Sequence, residues 1–169
     1  MNISLFLQLT STGIMVVGII FGIKNILQYE ASRKRESAIV MLNSFQTPEF
    51  VKGLLLILNL PDHISKKDFE ALPEANFLAI YMVVGTWERL GVLVYRREIE
   101  LDLVDDAFSG PIIQTWKKLG RYIKEFRSQL KRDTAMEWLQ WLAERMIERE
   151  NMSPPVPAYQ AFKNWQAKK

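Results

Sequence analysis

The sequence predicts an all-α protein, an N-terminal transmembrane helix continuing into a small cytoplasmic helical bundle. Three observations predict it. Residues 1–23, MNISLFLQLTSTGIMVVGIIFGI, carry no charged side chain. At the helical rise such a segment reaches about 34 Å, enough to cross a hydrocarbon core of roughly 30 Å. Downstream, apolar residues recur every three or four positions between Pro- and Gly-containing breaks, and no useful length of strand-type alternation occurs.

Composition sets the outer limits. A hydrophobic fraction of 49% with 24% charged residues belongs to a folded domain and excludes a disordered one. Cysteine is absent, which removes disulfides, thiolate metal sites and a cysteine nucleophile together. The net charge of +3 suits an anionic lipid surface as well as a nucleic acid and does not separate them.

Four regions follow: an anchor over 1–23, a juxtamembrane connecting helix over 24–46, a bundle over 47–150, and a Pro-rich elbow with an aromatic and basic tail over 151–169. The anchor is not a cleavable signal, because no Lys or Arg precedes Lys24 and no A-x-A pattern follows. Lys24, Arg33, Lys34 and Arg35 flank its C-terminal end. The positive-inside rule therefore places the N-terminus outside and the C-terminal domain in the cytoplasm, at the inner membrane of the cell. Gly18 and Gly22 form a GxxxG pair that would let two anchors meet as a homodimer, although glycine is frequent in membrane helices for other reasons. Between Gln28 and Ser37 the connecting helix is polar nearly all round. Ala38, Met41, Leu42 and Phe45 then begin the core stripe.

In the bundle, Thr47-Pro48-Glu49 reads as an N-cap, a proline at N1 and an acid in the first turn. The helix it opens presents Phe50, Leu54, Leu55 and Leu58 and stops at Asn59. Ser65 with Asp68 is a variant capping box, and Ile64 with Phe69 has the spacing of a hydrophobic staple. A central helix runs from Pro73 to about Arg97. Phe77, Ile80, Tyr81, Val84, Trp87, Gly91 and Val94 share one face, while Met82, Val83 and Leu93 make the others apolar, so other helices are expected all around it. A second membrane span is disfavoured there by Glu88, Arg89 and two glycines. An acidic helix is predicted to end near Gly110, with a new helix starting at Pro111. Its stripe is Ile112, Trp116, Leu119, Ile123, Phe126 and Leu130. The last long helix runs from Thr134 to about Arg149, striped by Ala135, Trp138, Leu139, Leu142 and Met146. Ser153-Pro-Pro-Val-Pro157 breaks it as a polyproline II elbow. Tyr159, Phe162 and Trp165 follow, with Lys163, Lys168 and Lys169 beside them.

Few residues point to chemistry. The sole histidine, His63, lies in a loop without the HExxH or ExxH spacing that would supply partners. P-loop, GxGxxG, GxSxG and R-x4-6-H ribonuclease patterns are absent from the sequence. Glu98, Glu100, Asp102, Asp105 and Asp106 are the one group suited to a hard cation; Asp102, Asp105 and Asp106 are its weak metal candidates, with Glu88 as a helper. Dipole stabilisation at a helix start explains the same acids without any metal, so no cofactor is expected. From Lys117 to Arg132 there are seven basic residues and one acid, Glu125. Lys117, Lys118, Arg121, Lys124 and Arg132 centre on the face opposite the apolar stripe and form the candidate surface for an anionic partner. The anchor favours membrane lipid as that partner. Nucleic acid is disfavoured because Trp116 and Phe126 fall in the core stripe and not on a stacking platform.

The anchor with Arg33-Lys34-Arg35, the run from Phe45 through Thr47, Pro48 and Glu49 to Phe50, the run from Trp87 to Val94, and Trp116 at the start of the basic helix together resemble an uncharacterised bacterial family of single-pass, membrane-anchored helical proteins, a domain of unknown function. The resemblance covers residues 1 to about 146. It implies an anchored helical domain and transfers no catalytic residue. The expected function is accordingly a non-enzymatic interaction or sensing module with a protein partner. The alternatives are a magnesium-dependent hydrolase built on the acids of 88–106 and a membrane-tethered, nucleic-acid-binding or defence-associated effector.

Overall fold

The computed structural model describes Met15, residues 19–29, Ser32, Arg33, Glu36, Ile39, Asn43, Phe45 and residues 47–166. Two compact units divide the chain, Met1–Asn43 and Ser44–Lys169. The protein is all-helical, with no strand among the described residues.

In the first unit residues 19–29 are helical. Ile19, Ile20, Phe21, Ile23, Ile26 and Leu27 are all more than half exposed. A side chain added at Gly22 would meet nothing within 4 Å. Gly18 and most of the anchor lie outside the described residues.

The second unit opens with α1, Pro48–Asn59. Thr47 Oγ1 accepts the Phe50 N–H at 3.2 Å, so the expected cap forms. Helix α2 is Lys66–Glu70, where Ser65 Oγ accepts the Asp68 N–H at 3.2 Å and donates to its carboxylate at 2.6 Å. Ile64 and Phe69, the staple pair, are both buried. Between the two helices the chain turns at His63, which holds a positive φ of 56°. The N–H groups of His63 and Ile64 donate to the Lys117 and Lys118 carbonyls, each at 3.0 Å.

Helix α3, Glu74–Tyr95, is the centre of the unit and packs against α1, against α4 (Leu101–Leu130) and against α5 (Glu137–Met152). Ile80, Val83 and Trp87 have no exposed surface. Two glycines permit the close crossings. A Cβ at Gly53 would collide with the Ala79 carbonyl and stand 2.8 Å from Val83 Cγ2, and one at Gly91 would stand 2.7 Å from the Trp138 carbonyl oxygen. Its composition predicts helices on every side, and the structure corrects this: Leu78 is 58% and Met82 48% exposed. Four helices of this length leave the centre of the bundle one open arc. Among the described residues α3 is the one helix long and apolar enough to cross a membrane, yet half of its apolar window is buried inside the protein.

The acidic helix and the basic helix are one. Helix α4 runs through Pro111 without a break. Proline removes the N–H that would serve the Ala107 carbonyl and costs roughly 3 kcal/mol inside a helix. Ala107 is exposed, so water can reach that carbonyl. Thr115 Oγ1 donates to the Pro111 carbonyl at 2.8 Å, and burial of Val104, Ile112 and Thr115 on either side holds the two halves to one core. Helix α4 ends at Lys131, which is left-handed at φ 50°, and the Arg132 N–H reaches back to the Arg127 carbonyl at 3.1 Å. This is a Schellman closure without glycine.

Helix α5 begins at Glu137, three residues later than its stripe predicts, because residues 133–136 form a turn and Met136 is left-handed. Arg127 fastens that turn by donating to the Ala135 and Met136 carbonyls and to Gln140. Beyond Ser153 the described residues carry one short helix, α6, Ala158–Ala161.

Candidate functional site

The middle of α4 and the loop between α1 and α2 enclose a cleft of about 390 Å³, lined by His63, Trp116, Lys117, Gly120, Arg121, Lys124 and Glu125. Helical spacing builds one wall, since residues 117, 121 and 124 follow each other on one face of α4. Gly120 makes room for the other: the Trp116 indole lies over it, with Cε2 3.2 Å from where a Cβ would sit. The Lys124 ammonium stands 5.8 Å from the centre of that ring, within reach of a cation–π attraction. The loop residue His63 closes the end and is exposed.

Each remaining charge has a partner. Asp62 pairs with Lys117 at 2.8 Å and with Lys118 at 2.7 Å. The two ammonium groups bring the Asp62 carboxyl down to about 2. Glu125 accepts the Lys66 N–H at 2.8 Å, at the first residue of α2, and Arg121 at 2.7 Å. The Lys66 N–H first, then the Arg121 guanidinium, holds the Glu125 carboxyl below its ordinary range. Two carboxylates kept ionised in this way accept hydrogen bonds at neutral pH and are poorly matched to proton transfer there. The cleft can instead bind: it offers the face of an indole beside an excess of positive charge.

Three of the five predicted basic residues, Lys117, Arg121 and Lys124, meet at the cleft. Lys118 turns away, donating to the Leu60 carbonyl at 2.6 Å as well as to Asp62, so it fastens the loop. Arg132 lies beyond the end of α4 with its Nε 3.3 Å from Thr134 Oγ1. Trp116 corrects the sequence expectation. It belongs to the apolar stripe by spacing, yet it is half-buried and lines the cleft. His63 and Glu125 were not legible as site residues, because the contacts that place them join residues some 50 to 60 positions apart.

The acids of 88–106 do not assemble. Arg149 on α5 pairs with Asp102 at 2.7 Å and Asp105 at 2.8 Å, and these carboxylates, Asp105 first, raise its already high pKa. Asp106 is exposed at the mouth of a neighbouring groove. Glu88 accepts the Leu139 N–H at 2.6 Å. Leu139 and Arg149 are ten residues apart on α5, about 15 Å by helical rise, so the acids go to opposite ends of that helix. Among the described residues no group of three or more His, Asp or Glu side chains is placed to hold a metal.

Two of the segments that carry the family resemblance, 45–50 and 87–94, meet in the core. The Phe45 ring stands 5.0 Å from Phe50 and 5.2 Å from Trp87, and Phe50 stands 5.5 Å from Trp87. No curated protein and no solved structure matches the chain significantly. The family described as Domain of unknown function (DUF4760) matches residues 5–146, the anchor region through most of α5, and the chain belongs to that family.

Proposed function

We propose that this protein is a membrane-anchored, non-enzymatic interaction module, which holds an acidic segment of a partner protein in the cleft beneath Trp116. The observation that carries this reading is a cleft that Lys117, Arg121 and Lys124 line together with one half-buried indole, which Lys124 faces at 5.8 Å, over a floor that Gly120 keeps open. A carboxylate beside an apolar or aromatic side chain matches both halves of such a surface. A flat anionic bilayer matches it less well. Lys117 and Arg121 lie folded against Asp62 and Glu125, whereas lipid headgroups are best met by cations that project freely.

The anchor reading draws support from residues 19–27, a helix whose apolar side chains remain exposed. That pattern is costly in water and suited to lipid. We read the span at 1–23 and the domain as cytoplasmic, a reading supported by the burial of half of the apolar window of α3 in its own domain and by the cations that flank residue 23.

The test uses full-length protein in nanodiscs of neutral lipid and a fluorescein-labelled peptide of alternating Glu and Phe. Anisotropy should report binding that weakens as salt rises and is lost in Lys117→Glu/Arg121→Glu/Lys124→Glu. Equal binding by the triple variant would remove the cleft from the account. Displacement of the peptide by vesicles rich in anionic lipid, but not by neutral ones, would transfer the site to lipid. Protease protection of a C-terminal tag in sealed cells, compared with permeabilised ones, reads the orientation separately.

A further inference from the structure

The C-terminal tail carries a net charge that the rest of the chain does not, beside exposed aromatic side chains. From Asn151 to Lys169 there are three lysines and no acid, and the chain as a whole has a net charge of +3. Residues 1–150 are therefore balanced, and the entire excess sits in the last segment. In the same segment Tyr159 is 76%, Phe162 65% and Trp165 72% exposed. These are the three largest apolar side chains of the tail, and none is drawn into the core. Tyr159 stands on α6, Phe162 at its C-cap, and the Trp165 N–H donates to the Phe162 carbonyl at 2.9 Å, so the three rings sit on one compact turn. Met152 and Val156, at 79% and 61%, extend the apolar surface into the elbow. Pro154, Pro155 and Pro157 stiffen that elbow. The elbow and Phe162 flank a groove whose far wall is Asp105, Asp106 and Arg149, yet all three rings keep most of their surface open.

We propose that residues 153–166 form a second membrane contact, a short interfacial anchor that places Tyr159, Phe162 and Trp165 among the headgroups of an anionic bilayer. Tyr and Trp suit that depth because an apolar ring enters the acyl boundary while the hydroxyl or indole N–H stays wet. Lys163, Lys168 and Lys169 supply the matching charge, with no acid nearby in the sequence to oppose them. Two weak attachments act together: once one end of the chain is held at a bilayer, the tail meets the same surface at high effective concentration. The proposal takes from the membrane-anchored reading only the presence of a bilayer, and it is independent of the cleft.

The absence of cysteine makes the test direct. Gln166→Cys, labelled with an environment-sensitive NBD group, is followed in full-length protein reconstituted into vesicles of phosphatidylcholine alone or with 30% phosphatidylglycerol. The expected result is a blue-shifted emission, quenched by a lipid-borne quencher, that appears with phosphatidylglycerol and disappears in Tyr159→Ser/Phe162→Ser/Trp165→Ser. Replacing the three lysines by Gln should lower the fraction of membrane-embedded tail by up to roughly 100-fold, at about fivefold per cation. Carbonate-resistant retention of the same samples reports the N-terminal anchor on its own. Loss of retention with the tail still responding to added anionic vesicles would sink the anchor and keep the tail. An emission that stays red in both lipids would overturn the proposal. So would a blue shift already present in phosphatidylcholine alone and untouched by the lipid-borne quencher, which would mean that the tail docks on protein.

Discussion

Glu88 on α3 accepts the backbone N–H of Leu139 at 2.6 Å, capping the first turn of α5 from a different helix. Met136, at the N-cap position, makes no side-chain cap of its own. One carboxylate thus fixes both the start of α5 and its registry on α3. Partial burial, more than any other influence, raises the Glu88 carboxyl above its ordinary range, while the Leu139 and Trp138 N–H groups pull the other way.

Glu88→Ala should cost about 1–2 kcal/mol, the usual loss when a helix cap is removed. Glu88→Gln keeps an acceptor and should cost less. The pH dependence follows from the direction of the shift. A carboxyl raised in the folded state binds its proton there more tightly than in the unfolded chain, so wild type loses stability as pH rises from the unfolded value toward the folded one. Urea melts at pH 4 and pH 7 should show wild type losing ground relative to Glu88→Gln at the higher pH. A constant difference would remove the burial argument.

Gly53→Ala and Gly91→Ala should each destabilise by about 1–3 kcal/mol or more, because the added methyl meets backbone carbonyls and not a movable side-chain end. Gly85→Ala is the control, with nothing within 4 Å of its Cβ. It should be neutral or raise Tm slightly, since alanine favours helix over glycine by up to about 1 kcal/mol. Thermal melts of the three variants decide the matter.

Asp62→Asn should leave Tm nearly unchanged, because the pairs it makes with Lys117 and Lys118 are solvent-exposed on the carboxylate side. Binding of the acidic peptide should tighten roughly 1.5- to 5-fold as Lys117 is released toward the cleft. The lowered Asp62 pKa contributes stability above its unfolded value of 3.8, a contribution lost as pH falls toward 2, so neutral-pH measurements compare a fully ionised carboxylate with its amide. Weaker peptide binding by Asp62→Asn would mean that the loop must be held by Asp62 for the cleft to exist.

Lys131→Gly should stabilise the protein by about 0.5–1 kcal/mol. Lys131 closes α4 with φ at 50°, a conformation that costs a side chain energy and costs glycine nothing. A drop in the denaturation midpoint would show that the lysine side chain itself, and not its backbone, is needed at the turn.

Local signals were legible wherever they act over a few residues. Thr47, Pro48, Ser65 and Asp68 specify their caps from the neighbouring N–H groups alone, and the cores of α3 and α5 follow from helical period. Pro111 shows the limit. Read locally it starts a helix; in the fold, apolar contacts on both sides of it outweigh its missing hydrogen bond, a comparison that needs the partner helices to be in place. Trp116 shows the same limit at the site, since spacing assigns it to the core stripe while the cleft beside it exists only once the His63 loop lies on the Lys117 and Lys118 carbonyls.

An all-helical chain with an apolar N-terminal segment, no cysteine, a basic face on α4 and an uncompensated cationic, aromatic tail can be read from residue order alone. Periodicity, capping and charge count are properties of neighbouring residues and need no fold to be read. Only the tertiary structure decided which charges face which. It gave Asp102 and Asp105 to Arg149, Glu88 to Leu139, and Asp62 to Lys117 and Lys118, so that a candidate metal group became an ion pair and part of a basic face became a loop fastening. Such pairings join residues 44 to 59 positions apart, and their energy depends on distance and burial that no local pattern encodes.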